Sequence, residues 1–165
     1  MAGKFSTRFK LSKKDVKELR QEAQGLGQVP MTWDDVEEGK AGDVIVYLDS
    51  GLPCLARVNG SLIPTLTCLL RRGYSWLPYV LVDRGATQAV GRGADLMAPG
   101  VRGVVGSFDK GALVAVVDEQ TKAPVAVGRA LVSSDELRSM ISSRSKGKVI
   151  ENLHYPGDQL WKIIS

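Results

Sequence analysis

Residues 91–101 read GRGADLMAPGV. Two glycines flank Arg92, and a Pro-Gly pair closes the stretch. A phosphate loop would point to a nucleotide-binding enzyme, whereas a helix-ending turn points to a compact mixed β protein. The dinucleotide fingerprint needs a third glycine, and Leu96 stands in its place. The preceding residues RGATQAV form a short helix, so the loop leaves a helix instead of entering one. That is the wrong end for a pyrophosphate. A Gly-Lys-Ser/Thr triplet, needed for a Walker loop, is absent. Gly91 and Gly93 therefore end a helix, and Pro99-Gly100 makes a turn. The small residues around Arg92 would also let a ligand backbone come close.

The surroundings agree with the second reading. YVLVD, GVVGSFD, ALVAVVDE, PVAVGRALV and GKVIENLHY are five short β-rich runs. Lys110-Gly111 and Gln120–Lys122 supply turns between them. SSDELRSMI starts a helix, with serines ahead of Asp135 and Glu136. Five strands, two small helices and short connections predict a mixed β pseudo-barrel over residues 78–165.

Pro78 marks the boundary with a first domain, residues 1–77. There, Ser12 and Asp15 fit a capping box, and Val16, Leu19, Ala23 and Leu26 form one apolar stripe ended by Gly25 and Gly27. Lys13, Lys14, Lys17 and Arg20 fall mostly on the other side, as a solvated face. Val44–Leu48 is a β-rich run. LARV and SLIPTL flank Asn59-Gly60, a hairpin signal, and Pro64 suggests a sheet edge or a strand end. This half is α+β, a helix on a small antiparallel sheet. Arg71, Arg72, Tyr74 and Trp76 join cations and aromatics, either as an RNA contact or as a domain junction.

Composition narrows the function. The chain has 165 residues, 44% of them hydrophobic, enough for packed cores. Its net charge of +4 is split evenly, with 11 basic and 9 acidic residues on each side of Leu77/Pro78. A polyanion site must therefore come from clustering. Neither a secretory signal nor a membrane span is expected, which predicts a cytoplasmic protein. Cys54 and Cys68 lack zinc-site spacing and there is one histidine, so no metal or cofactor is expected. A disulfide between the two cysteines stays open. His154 reads as a hydrogen-bonded residue at a strand end. No nucleophile or carboxylate pair suggests an enzyme.

VDRGA at 82–86 and GADLMAPGV at 93–101, with the strand-rich remainder, resemble a PUA domain. KGKVIENLHYPGDQLW at 146–161 narrows the resemblance to the malignant T-cell-amplified sequence family and its archaeal relatives, which carry a small α+β domain ahead of the PUA domain. The Gly-Asp that many PUA domains place before the third strand is Gly111-Ala112 here, as in that branch. The resemblance implies RNA binding without chemistry, in a groove formed by the first helix, the glycine-containing loop and the last strands. Carried over by residue, it implies Arg84, Arg92, Gly93, Ala94, Pro99, Gly100 and Lys148. Loop N–H groups would bond phosphate and the cations would supply charge, while Asp83 and Asp95 would accept from turn N–H groups. The family further implies a translation role on the small ribosomal subunit or tRNA, with a density-regulated-type protein partner in eukaryotes. The alternatives are an accessory RNA-binding or protein-interaction subunit of an RNA-modification complex, or a pure interaction module marked by an exposed apolar patch in the first half.

Overall fold

The computed structural model describes residues 4–165. The chain divides into two compact units. One runs to Trp76 and includes Gln159–Ser165; the other is Leu77–Asp158.

In the first unit, β1 (Thr7–Lys10), β2 (Val36–Ala41), β3 (Val44–Asp49), β4 (Leu52–Val58) and β5 (Ser61–Pro64) form an antiparallel sheet in chain order. Helix α1 (Lys13–Ala23) begins where Ser12 accepts a hydrogen bond from the Asp15 N–H, at 3.1 Å. Its Leu19 and Ala23 are buried in a core with Val36, Tyr47, Leu55 and Cys68, while Val16 and Leu26 are half-buried at its margin. Gly27 follows at φ +131°, where a Cβ would lie 2.9 Å from the Trp76 carbonyl oxygen. Asn59 and Gly60 both have positive φ, +50° and +81°, the signature of a type I′ turn. That turn sets the β4–β5 register, Val58 opposite Ser61.

Three elements of this unit escape the sequence pattern. Strand β2 reads VEEGKA and shows no apolar alternation. Its Gly39 is covered by the Phe5 ring, which a Cβ would meet at 2.8 Å, so a neighbour supplies the apolar surface. Strand β1 is exposed along its whole length. SLIPTL does not run on as a strand: β5 stops at Pro64, on the sheet edge, and the Thr65 hydroxyl caps α2 (Leu66–Arg72) by accepting from the Cys68 N–H at 3.0 Å.

The second unit contains β6 (Tyr79–Val82), α3 (Arg84–Val90), β7 (Leu96–Met97), a 3-10 turn (Ala98–Gly100), β8 (Val101–Val105), β9 (Leu113–Asp118), β10 (Pro124–Ala130), α4 (Ser134–Ser142) and β11 (Lys148–His154). Its six strands are ordered β7-β11-β10-β9-β6-β8. The β6–β9 pair is parallel and the other pairs are antiparallel. The sheet curls around Val80, Val82, Val116 and Ile150, with Val90 from α3 and Leu137 from α4. The α+β class and the PUA-like curled sheet are as the sequence predicts. The sixth strand is β7, whose two residues are too short to leave a periodic signal. Helix α5 (Gln159–Ile164) groups with the first unit, whereas a single cut at 77/78 assigns it to the second. Its Leu160 and Ile164 are buried, and the Lys4 ammonium donates to the carbonyls of Lys162 and Ser165. Among the described residues, no helix is long and apolar enough to cross a membrane.

Candidate nucleic-acid interface

Asp83 opens the site. Its carboxylate caps α3 by accepting from the Ala86 N–H at 2.8 Å, and its own N–H donates to the Gly100 carbonyl at 3.0 Å. Helix and 3-10 turn are thereby fixed to each other. The far side of Asp83 pairs with Arg102 at 2.9 Å, and Arg102 also donates to the Pro99 carbonyl at 3.0 Å. The turn is thus held by its carbonyls, leaving the Pro99 ring exposed.

The loop glycines have a different task from the one their size suggests. A Cβ on Gly100 would lie 2.6 Å from the Ala86 Cβ, and one on Gly93 (φ +105°) 2.8 Å from the Tyr155 ring. Both glycines face protein, and Ala98 is buried. The expected row of free N–H groups is also spent internally. Gly93 N–H donates to Val90, Ala94 N–H to Ala89 and Ala98 N–H to Gly147, at 3.0, 3.1 and 2.8 Å. Small residues here bring helix, loop and last strand together.

Asn152, on β11, completes the clamp. Its Nδ2 donates to the carbonyls of Val90 and Ala94, at 2.9 and 3.0 Å, and its backbone N–H donates to Asp95 at 2.8 Å. Asp95 also pairs with Lys148 at 2.9 Å. The Asn152 N–H first, then the Lys148 ammonium, hold the Asp95 carboxyl below its ordinary range. Asp83 accepts from a turn N–H as expected, whereas Asp95 accepts from the strand N–H of Asn152 and from Lys148. Asn152 sits within a strand among apolar residues, and its spacing gives no sign of this role.

The structure brings Gly93, Ala94, Pro99, Gly100 and Lys148 into one loop–strand assembly, with Lys148 opposite Met97 in the ladder. Arg84 opens α3, and Arg92 lies two residues past its last residue, Val90. Both are exposed and neither has an ion-pair partner among the described residues. Lys148 is exposed too, and its pair with Asp95 is of the weak, solvent-screened kind that a phosphate can displace.

Beside the 3-10 turn lies a groove of about 380 Å³, lined by Pro99, Arg102, Met140, Ile141, Arg144 and Lys146. Arg144 and Lys146 have no ion-pair partner among the described residues. Arg144 sits just past α4 at φ +54°. The Arg144 N–H bonds Ile141 at 3.2 Å and the Ser145 N–H bonds Met140 at 2.9 Å. That is a Schellman closure with arginine where glycine is usual. The basic run RSKGK at 144–148 was the available signal for this part of the site.

The other candidates are structural. His154 is fully buried, with Nδ1 2.9 Å from Asp158, whose carboxylate also accepts from the Tyr155 N–H at 3.0 Å. Arg72 is bound to Asp49 at 2.6 Å and to the Pro30 carbonyl at 2.9 Å, inside the first unit. Arg71 remains exposed. Cys54 and Cys68 are buried free thiols. Their mutual hydrogen bond, with burial, pushes the Cys54 thiol well up.

Comparison with known proteins places this geometry. The PUA domain family matches residues 78–156, and a domain of unknown function, DUF1947, matches residues 7–72. An uncharacterized protein of Methanocaldococcus jannaschii, MJ1432, is 35% identical over 93% of this chain and 94% of its own length. Translation machinery-associated protein 20 of Schizosaccharomyces pombe is 36% identical over 64% of this chain and 58% of its own. Malignant T-cell-amplified sequence 1-B of Xenopus laevis is 34% identical over 62% and 56%. The chain thus spans just over half the length of these eukaryotic relatives. A crystal structure of a PUA domain from Aeropyrum pernix superposes with a TM-score of 0.89 at 34% identity, over 96% of this chain and 90% of that one. A 35% identity that runs nearly the full length of an archaeal protein, the two matched domains in this order and the shared fold lead to one conclusion: the chain belongs to the PUA-domain family of the malignant T-cell-amplified sequence proteins and their archaeal relatives.

Proposed function

We propose that this protein binds structured RNA through its second unit and acts in translation, on the small ribosomal subunit or on tRNA. One observation carries the reading: the loop and groove around Pro99 are bordered by exposed cations, Arg144 and Lys146, that no described residue neutralises. Arg84 and Arg92 extend the positive surface along α3, and Lys148 and Arg102 add cations held in exposed pairs. Gly93, Ala94, Pro99 and Gly100 contribute by shaping the loop. RNA duplexes are read mainly through phosphates, 2′-hydroxyls and shape, which suits a rigid surface with charged rims. The relatives named for the translation machinery supply the cellular setting, and a density-regulated-type protein is the partner to look for. The reading has no catalytic step and no cofactor.

Titrating tRNA at several salt concentrations tests it. Three phosphate contacts give a log–log slope of about −2 to −3. Arg92→Ala should weaken binding to all sequences alike and reduce the slope by about one unit. If Arg92→Ala and Lys148→Ala together leave affinity and slope unchanged, the surface is misassigned.

Arg144 gives a sharper test, because its two effects oppose each other. A left-handed arginine costs about 1 kcal/mol that glycine avoids. Arg144→Gly should therefore raise the stability of the second unit by up to about 1 kcal/mol in urea unfolding while weakening tRNA binding. A variant more stable and equally tight would remove Arg144 from the interface.

A further inference from the structure

Strand β1 is an edge of the first unit's sheet, and nothing in the described chain pairs with its outer side. The Leu11 N–H donates to the Val36 carbonyl at 2.9 Å. Alternation along an antiparallel ladder then turns the N–H and C=O groups of Arg8 and Lys10 outward. Next to this edge lies a cleft of about 320 Å³ between β1, β2 and α1. Its apolar surface comes from Phe9, Leu11, Leu19 and Tyr47, and Phe9 is 48% exposed. Its rim carries Asp15, Glu18, Glu22 and Glu38.

The charges choose the occupant. Among the described residues Arg57 is the one cation lining the cleft, and it is bound to Glu22 by two hydrogen bonds of 2.8 Å. Asp15, Glu18 and Glu38 have no ion-pair partner among the described residues. Arg8 and Lys10 alternate to the other face of β1, where Arg8 is bound to Glu37 at 3.0 Å. The lysines of α1, Lys13, Lys14 and Lys17, do not line the cleft. Phosphate would be repelled here, so this surface is not part of an RNA path. An apolar cleft with an aromatic ring and uncompensated carboxylates suits the stem and head of a lysine or arginine. A neighbouring strand edge suits the backbone that carries it.

We infer that the cleft beside β1 is a docking site for an extended, basic segment of a partner protein, which adds to the sheet at β1 and seats a cationic side chain against Phe9 and the Asp15, Glu18 and Glu38 carboxylates. The inference is independent of RNA binding by the second unit.

Fluorescence anisotropy on the full chain, with a labelled peptide of alternating arginine and valine as probe, tests it. An aspartate–valine peptide is the control. The basic peptide should bind and the acidic one should not. Combining Glu18→Gln with Glu38→Gln should weaken binding about tenfold, from two screened charge contacts. Phe9→Ala should weaken it as well. Amide exchange should slow at Arg8 and Lys10 when the peptide is bound. None of these variants should change tRNA titrations. Peptide binding indifferent to all three substitutions, or no slowing at Arg8 and Lys10, overturns the site. So does self-association of the chain that Phe9→Ala abolishes, because the edge would then serve a second copy. A loss of tRNA binding in the glutamine variant overturns it too.

Discussion

Replacing Asp49 with alanine is expected to lower the unfolding free energy of the first unit by about 3–5 kcal/mol. The carboxylate is fully buried. It accepts from the Thr32 N–H at 2.8 Å, the Thr32 hydroxyl at 3.1 Å, the Trp33 N–H at 3.0 Å and the Arg72 guanidinium at 2.6 Å. The alanine variant strands all of these donors, including a charged one. Trp33, held at φ +66°, loses the bond that keeps its backbone there. All three tryptophans, Trp33, Trp76 and Trp161, lie in the first unit. Tryptophan fluorescence during urea unfolding therefore reports this unit alone. The effect should depend on pH with a definite sign. Burial acts to raise the Asp49 pKa, but the hydrogen bonds from Thr32, Arg72 and Trp33 outweigh it and hold the value below the ordinary one. Such a group stabilises the fold above the ordinary carboxylate range and loses that contribution as pH falls through its lowered value. The gap between wild type and variant should be widest near neutrality and narrow in acid. A gap of under about 1 kcal/mol at neutral pH would mean that the cluster contributes no more than an exposed pair.

Gly100→Ala is expected to destabilise the second unit by about 1–3 kcal/mol through overpacking. The added methyl would lie 2.6 Å from the Ala86 Cβ, with both residues on backbones that Asp83 ties together. Neither can yield by a rotamer change. The space should be exchangeable. Ala86→Gly alone costs about 1 kcal/mol in helix propensity. Adding Gly100→Ala to it should then cost less than about 0.5 kcal/mol. The single Gly100→Ala variant should also lose tRNA affinity and the Ala86→Gly/Gly100→Ala pair should regain it, since the 3-10 turn is displaced in one and reseated in the other. Far-UV circular dichroism in urea and the tRNA titration read the two effects. Full stability in the single variant would show that α3 and the turn slide freely.

Local chemistry was legible where one or two residues decide the backbone. Asn59-Gly60 can hardly do anything but turn, and Ser12 caps α1 as its position foretells. Parts of the fold that depend on partners distant in sequence were silent. Strand β2 is written in glutamates and glycine, because the apolar surface over Gly39 belongs to Phe5. Glycine also carries two messages that a sequence cannot separate. At Gly93 and Gly100 it means contact with Tyr155 and Ala86, not an opening for a ligand. The cations divide in the same way. Arg72 and Arg102 are engaged by aspartates that lie far from them in sequence, whereas Arg144 and Lys146 stay available in the basic run RSKGK.

The return of α5 to the first unit has a consequence for biosynthesis. Translation delivers the chain from its N-terminus, so every strand of the first sheet has emerged long before Leu160 and Ile164 exist. The cavity wall that Trp161 and Ile164 share with Ser50, Leu52, Pro53 and Leu70 stays bare in the interval. Throughout that time the nascent sheet has an unsealed apolar seam, attractive to chaperones and to neighbouring nascent chains. The later unit, continuous in sequence, needs no such wait. Maturation of this protein therefore runs against the order of its synthesis: the half made first is the half finished last.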